Sequence, residues 1–298
     1  MNDAPENTPK LLLHACCGPC SLEPVRTLRE RGIEPHIYYA NPNIHPAKEY
    51  AHRLSTIRAW AAESGLELTE GAYDVAAWDE TAGRVGNAAR EKFGVIAGNV
   101  EVAKNAEGKG AANTESAGEL RALSAHAQHA EGELTHNAKA EAARQARCRA
   151  CYRIRFEESA RFAAEHGFDA LGTTLSVSPY QYTEIIREEL ERACESVGIS
   201  PLFEDYRPYY DEATRRSREA GMYRQNFCGC RFSDEEAQTE REARKAVRKA
   251  RKAAEAAAHE QERAAEKEQR DARKAERRAY DEKQARKRAI RKSLREAN

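Results

Sequence analysis

The run KLLLHACCGPC, Lys10–Cys20, reads as a short buried strand that delivers the chain into a cysteine-rich turn. Lys10–Ala15 supplies the strand, Cys16-Cys17-Gly18-Pro19-Cys20 the turn, and Ser21 is placed to cap a following helix through Leu22, Val25 and Leu28. Gly32 stops that helix, and His36–Ala40 is a second strand. After Asn41-Pro42-Asn43, Pro46 begins a helix to about Ser64, with Tyr50, Leu54, Ile57 and Trp60 along its apolar stripe. Leu66–Leu68 is a third strand. Strands alternating with helices imply an α/β fold: a parallel, Rossmann-like sheet with helices on both faces. Ligands in such sheets sit beyond the carboxyl ends of the strands, where this first cysteine cluster lies.

Farther along, Gly94–Ala143 is rich in Ala, Glu, Gly, Asn, Lys and His and reads as an insertion, partly disordered or loosely helical. Structure is expected to resume near Cys148, with Tyr152, Phe156, Ala160 and Ala163 as a helical stripe. Ala170–Leu175 is a further strand, Pro179 to Gly198 a helix, and Asp211–Ala220 another. The organisation expected is a disordered N-terminus over 1–9, a globular domain over 10–232 and a charged helical tail over 233–298. That tail opens on Ser233 and acidic residues, has many Glu–Lys/Arg pairs at helical spacing, and lacks a sustained apolar heptad.

The chain is neutral as a whole, but from Arg241 to Asn298 it holds 21 Lys+Arg against 11 Asp+Glu, leaving the remainder at −10. A basic appendage on an acidic body suggests a polyanion such as RNA or a membrane surface; a solvated helix without partner fits the same composition. No stretch approaches the roughly 18 apolar residues of a membrane span. The polar start and short Leu11–Leu13 run do not resemble a signal peptide. The expected compartment is cytoplasmic, where eight cysteines serve as metal ligands, catalytic thiols or small buried residues rather than structural disulfides.

Seven of the eight cysteines fall into three groups: Cys16/Cys17/Cys20, Cys148/Cys151 and Cys228/Cys230. Each is expected at a strand end or helix start, where free backbone N–H groups favour thiolate. Thiolates at C-x-x-C spacing suit zinc or an iron–sulfur cluster. The 127 residues between Cys20 and Cys148 favour a site assembled by the fold over a small zinc module. Adjacent Cys16 and Cys17 suit a bulky cluster or two neighbouring metal centres. Cys228 and Cys230, with one Gly between them, suit either a labile small-ring disulfide or two more ligands. Cys194 reads as a buried structural thiol. His14 is a ligand, an outer donor or a satisfied core histidine; Asp74 is a proton donor, an oxygen ligand or a helix cap.

These motifs together resemble the QueH-type epoxyqueuosine reductases. The resemblance is carried by Leu11–Cys20, Tyr39–Ile44 with Pro46 and Glu49-Tyr50, Arg147–Tyr152 with Arg155, Thr173–Leu175 with Ser178–Tyr180, and Tyr223–Cys230 with Ser233. It covers roughly residues 10–233 and implies a fold like the adenine-nucleotide hydrolases. Cysteines stand where those relatives carry a phosphate loop, so no ATP chemistry is expected. The implied reaction is reductive removal of the epoxide oxygen from epoxyqueuosine in tRNA. The implied sites are Cys16, Cys17, Cys148 and Cys151 on a 4Fe–4S cluster and Cys228 with Cys230 as the redox-active pair. Cys20 is expected to join a second metal, an additional iron, and the chemistry of the reaction calls for an acid such as Asp74 or Tyr152. The implied partners are tRNA and an electron donor, with no membrane. Two rivals remain open: a zinc-stabilised RNA-binding protein without catalysis, and a tRNA sulfur-transfer enzyme.

Overall fold

The computed structural model describes residues 9–96 and 124–296, with side chains over 9–96 and 137–288. The expected disordered start lies outside these residues apart from its last position, as does the expected insertion over 97–123. Five short strands are present: β1 (Leu11–His14), β2 (His36–Tyr39), β3 (Leu68–Glu70), β4 (Ala170–Thr173) and β5 (Ser200–Leu202). They form one all-parallel sheet in the order β3-β2-β1-β4-β5. The fold class expected from the alternating pattern is the one observed.

The sheet is sandwiched because β1 is apolar on both faces. Leu11 and Leu13 enter a core with Ile37, Tyr39 and helices α1 (Gly18–Glu30) and α2 (Ala47–Glu63), through Val25, Leu28, Leu54 and Ile57. Leu12 points the other way, into a core with Tyr38, Leu171 and helices α5 (Ser124–Glu165) and α6 (Thr183–Val197), through Phe156, Ala160, Ile186 and Leu190. A strand buried on both sides reads as a continuous apolar run, which is why LLL marks the centre of the sheet. The chain leaves β1 for β2 on one side and β4 for β5 on the other. The crevice beyond β1 and β4 is therefore the switch point of the fold.

Several elements depart from expectation. The helix after the first cysteines starts at Gly18 with Cys17 at its N-cap, and Ser21 lies inside it, donating to the Cys17 carbonyl at 2.9 Å. Between β3 and the long helix lie α3 (Val75–Trp78), a π-helical turn (Asp79–Gly83) and α4 (Arg84–Phe93). Helix α5 runs unbroken through the end of the expected insertion, where Ala140 is buried against Ala89 and Ile96. Structure thus precedes Cys148 rather than resuming there. Helix α6 begins at Thr183, four residues after Pro179, and ends at Gly198, whose φ of 75° closes it in the left-handed conformation. Helix α7 spans Tyr210–Glu219.

Helices α5 and α6 are fastened by Glu189, whose side chain is 2% exposed and is met by Arg149, Arg153 and Arg192 at 2.9–3.0 Å. Burial pushes its pKa up, but hydrogen bonds from Arg153, Arg192 and Arg149 outweigh it and hold the carboxyl down at about 2. A carboxyl depressed on folding contributes stability that is present above its unfolded pKa and lost as pH falls through 4.5 toward 2. That contribution is roughly 3 kcal/mol at neutral pH. Urea unfolding of metal-free protein between pH 7 and pH 3 should therefore steepen toward acid in wild type and flatten in Glu189→Gln. Parallel acid limbs would remove this role.

The chain divides into two compact units, Met1–Glu240 and Arg241–Asn298. Helix α8 (Ser233–Glu296) begins in the first, where Asp234, Glu235 and Glu236 occupy its first turn. It continues as the second unit, which is exposed at nearly every position from Lys245 to Arg288. Among the described residues no helix is long and apolar enough to cross a membrane.

Candidate metal centre

The first thiols are placed by the turn out of β1. Its last residue, His14, is fully buried, bonded to Thr173 Oγ1 at 3.1 Å and to the Ala40 carbonyl at 3.2 Å. Burial, and Arg155 after it, lower its pKa to about 3, so it is a neutral, satisfied core histidine rather than a free ligand. Cys17 takes an extended backbone at the α1 N-cap, and Cys20 lies in the first turn. The sulfurs of Cys16, Cys17 and Cys20 consequently lie within 4.8 Å of one another, with Cys16 and Cys17 at 3.8 Å. Three thiols this close could hold a metal.

The second pair sits differently from expectation. Cys148 and Cys151 are one turn apart in the interior of α5, not at a helix start, so no helix N-terminus supplies positive charge to them. Arginines do so instead. Arg147 (3% exposed) places Nη2 3.9 Å from the Cys148 sulfur. Arg155 (4% exposed) donates to Asn41 Oδ1 at 2.5 Å and faces the sulfurs of both Cys16 and Cys151.

The third pair lies in the loop before α8. The Gly229 carbonyl accepts from His45 N at 2.7 Å, while buried Arg53 donates to the carbonyls of Cys228 at 3.1 Å and Phe227 at 3.3 Å. Cys151, Cys228 and Cys230 share one cluster with Trp78 and Phe232. Cys16 and Cys148 pack on the same core at the sheet edge. Charged neighbours link the groups: Arg155 acts on both Cys16 and Cys151, and Cys228 acts on both Cys148 and Cys151, while only Cys16, Cys17 and Cys20 lie within 4.8 Å of one another among the described residues.

Their protonation is unequal. Hydrogen bonds from Cys17 and Cys20 hold Cys16 well below the usual thiol range, while the bond to Cys16 drives Cys17 up to about 12 and Cys20 upward. In the same way the bond from Cys230 lowers Cys228, and Cys230 is raised. Burial pushes Cys148 up to about 11 and Cys151 upward, against the pull of Arg147 and Arg155. The first and third groups thus each concentrate one thiolate, on Cys16 and Cys228, whereas burial keeps both thiols of the second pair protonated beside Arg147 and Arg155. Cys194 stands apart in the α6 core, raised by burial to about 12, as expected of a structural thiol.

A metal-binding function fits this donor set. Trp78 and Arg155 lie beside the Cys151 sulfur and Gln225 beside that of Cys17, while Ser233 Oγ donates to the Cys230 carbonyl at 2.8 Å. The buried Trp78 indole N–H has no hydrogen-bond partner within the chain and lies beside the Cys151 sulfur. N–H and O–H donors aimed at sulfur stabilise metal-bound thiolate and tune its potential. Gln225 Oε1 and His45 Nε2 are buried without a partner, polar atoms left over for a group not of the chain itself.

Cys20 lies with Cys16 and Cys17, in the group expected from their spacing. Asp74 shows the capping alternative: it is exposed and accepts from Ala77 N at 2.9 Å. Sequence reading assigned no role to Arg53, whose only signal is a charge one place from Leu54 on the apolar stripe of α2; it is 1% exposed.

Gly229 is constrained in both conformation and space. Its φ is +112°, and a Cβ there would come within 2.9 Å of Ile44 Cγ1 and 3.0 Å of Arg53 Nη1. Gly229→Ala should therefore cost more than about 1 kcal/mol and displace the Cys228–Cys230 loop. Thiol labelling of metal-free protein would show both cysteines reacting faster; wild-type rates would contradict this constraint.

The family model described as epoxyqueuosine reductase QueH matches residues 11–93 and 97–236. Curated relatives agree. The epoxyqueuosine reductase QueH of Dehalococcoides mccartyi is 27% identical over 229 residues, 76% of this chain and 94% of that one. That of Acinetobacter baylyi is 28% identical over 232 residues, 77% of this chain and 82% of the relative. That of Haemophilus influenzae is 27% identical over 244 residues, covering 80% and 78%.

Proposed function

Because this chain belongs to the epoxyqueuosine reductase QueH family, we propose that its cysteines carry the electrons of that reaction, on tRNA as substrate. The protein is an oxidoreductase, an epoxyqueuosine reductase, and neither rival reading gains support from the family match. We assign the reductase domain to residues 10–232, the tail to 233–298, and the compartment to the cytoplasm, where tRNA is processed.

Converting the epoxide to an alkene takes two electrons and two protons and releases water. We assign Cys16, Cys17, Cys148 and Cys151 to a 4Fe–4S cluster and Cys20, beside Cys16 and Cys17, to an additional iron. Bound there, the metals supply single electrons and a Lewis acid for the epoxide oxygen. The chain's own pair balances the rest: the Cys228 thiolate and the Cys230 thiol lose two electrons and one proton as their S–S bond forms, Tyr152 gives the second proton, and an external donor returns the electrons while solvent returns the protons. The lowered Cys228 is the thiolate of the pair, held by Cys230 and Ser233. Tyr152 is buried, donates to Gln181 Oε1 at 2.6 Å, and is kept protonated by burial and by Cys148 and Cys228, which makes it the proton-holding group we favour. Asp74 is left out because its carboxylate caps α3.

What supports this reading is that Arg147 and Arg155 are buried beside cysteines distant in sequence, Arg147 beside Cys148 and Cys230 and Arg155 beside Cys16 and Cys151. The test is anaerobic iron and sulfide analysis with an epoxyqueuosine-tRNA turnover assay. Brown protein with stoichiometric sulfide and conversion to queuosine is expected. Colourless, zinc-containing protein without turnover would refute it, since zinc has neither colour nor redox chemistry.

A further inference from the structure

The family match ends at residue 236, so the second unit, Arg241–Asn298, lies beyond what the family requires. Because this unit is one continuous helix, each residue's face is fixed at about 100° per position. The stretch Arg241–Lys252 contains seven Lys+Arg and one acid, Glu242. All seven cations fall within an arc of about 160°, while Ala243, Ala246, Val247 and Ala250 occupy the other side. Lys245, Arg248, Lys249, Arg251 and Lys252 are exposed. The next stretch, 253–269, has five acids against two bases, which confines the first concentration of positive charge to 241–252.

We infer that the Arg241–Lys252 face is a phosphate-binding arm that holds the RNA backbone of the substrate. The substrate class follows from the proposed function; the arm follows from charge. Residues 1–240 carry −10, so the body that holds the cysteines repels a polyanion, and the compensating charge lies after residue 240. An aligned row of Lys and Arg neutralises phosphates without reading sequence, which suits an enzyme whose chemistry already selects one modified base. The opposite face decides against other occupants. A membrane-lying helix needs Trp, Phe or Leu there, and a coiled coil needs large apolar residues at a and d, whereas this face is mostly alanine.

The test is the full-length variant Lys245→Gln/Arg248→Gln/Lys249→Gln/Arg251→Gln/Lys252→Gln, which keeps good helix formers at every position. Binding of an unmodified tRNA transcript is measured across salt concentrations. Affinity should fall at least tenfold near ~0.1 M salt, and the slope of log K against log salt should shrink by about 3. Turnover on saturating anticodon stem-loop should stay at the wild-type rate. Unchanged affinity and slope would overturn the arm. So would a variant that loses binding to phosphatidylglycerol vesicles, or loses self-association, while holding tRNA normally. Unmodified tRNA keeps the two readings apart: if wild type fails to reduce the epoxide but the variant still loses tRNA, the reductase assignment falls and the arm stands.

Discussion

Cys228→Ser and Cys230→Ser should each reduce epoxyqueuosine turnover by at least about a thousand-fold while leaving iron content and visible spectrum close to wild type. The expectation follows from where the pair sits. Its loop is held by backbone bonds, through Arg53 on the Phe227 and Cys228 carbonyls and His45 on Gly229, so a sulfur-to-oxygen exchange leaves the loop in place. The sulfur-to-metal assignments belong to the other two groups. Serine cannot form the disulfide that releases two electrons, so the loss falls on the rate alone. Parallel measurement of iron, sulfide and single-turnover rate decides it. If either serine variant also lost its iron, the pair would be ligands; if both kept full rate, it would be a bystander.

The second large effect concerns Arg147 and Glu236. Both are nearly inaccessible, at 3% and 4% exposure, and they meet in a two-pronged ion pair at 2.5 and 2.8 Å. Arg147 also lies over the Phe232 ring, and Gly86 passes so close that a Cβ would meet Phe232 at 2.4 Å and Arg147 Cδ at 2.8 Å. Glu236→Leu leaves that guanidinium buried without its carboxylate and should cost about 3–5 kcal/mol. The double variant Arg147→Met/Glu236→Leu replaces the pair by apolar groups of similar size and should recover most of that loss. It should still bind iron more weakly than wild type, because the cation beside Cys148 and Cys230 is gone. Denaturation of the metal-free protein and iron titration separate the two effects. A single variant within about 1 kcal/mol of wild type would show the pair to be solvated.

The sequence carried the centre of the fold plainly and its margins poorly. Three leucines buried on both faces announced β1, and the α1 and α2 stripes followed from their spacing. The third strand was displaced because Leu66 is buried in the core without belonging to the ladder, whereas pairing falls on the partly polar Leu68–Glu70 at the sheet edge. Ser200–Leu202 was missed: three residues around a proline carry no periodicity, and such a strand is possible only at an edge. Cys148 and Cys151 were placed at a helix start because alanine-rich sequence before them looked loose. Ala140 is in fact packed, so the helix extends through it. The cysteine groups were legible as residues; the arginines that neutralise them were not, since an isolated Arg in sequence gives no hint that it will be buried.

Strand β1 sits between β2 and β4, and its partner on the β4 side lies 159 residues downstream, as in the pairing of His14 with Thr173. Contacts so distant along the chain form late. On the ribosome, the earliest thiols, at 16, 17 and 20, emerge well before either neighbour at 148 or 228 exists. The three cysteine groups can consequently be brought together only after residues 148–230 have been made, so completion of the site awaits closure of the sheet around β1.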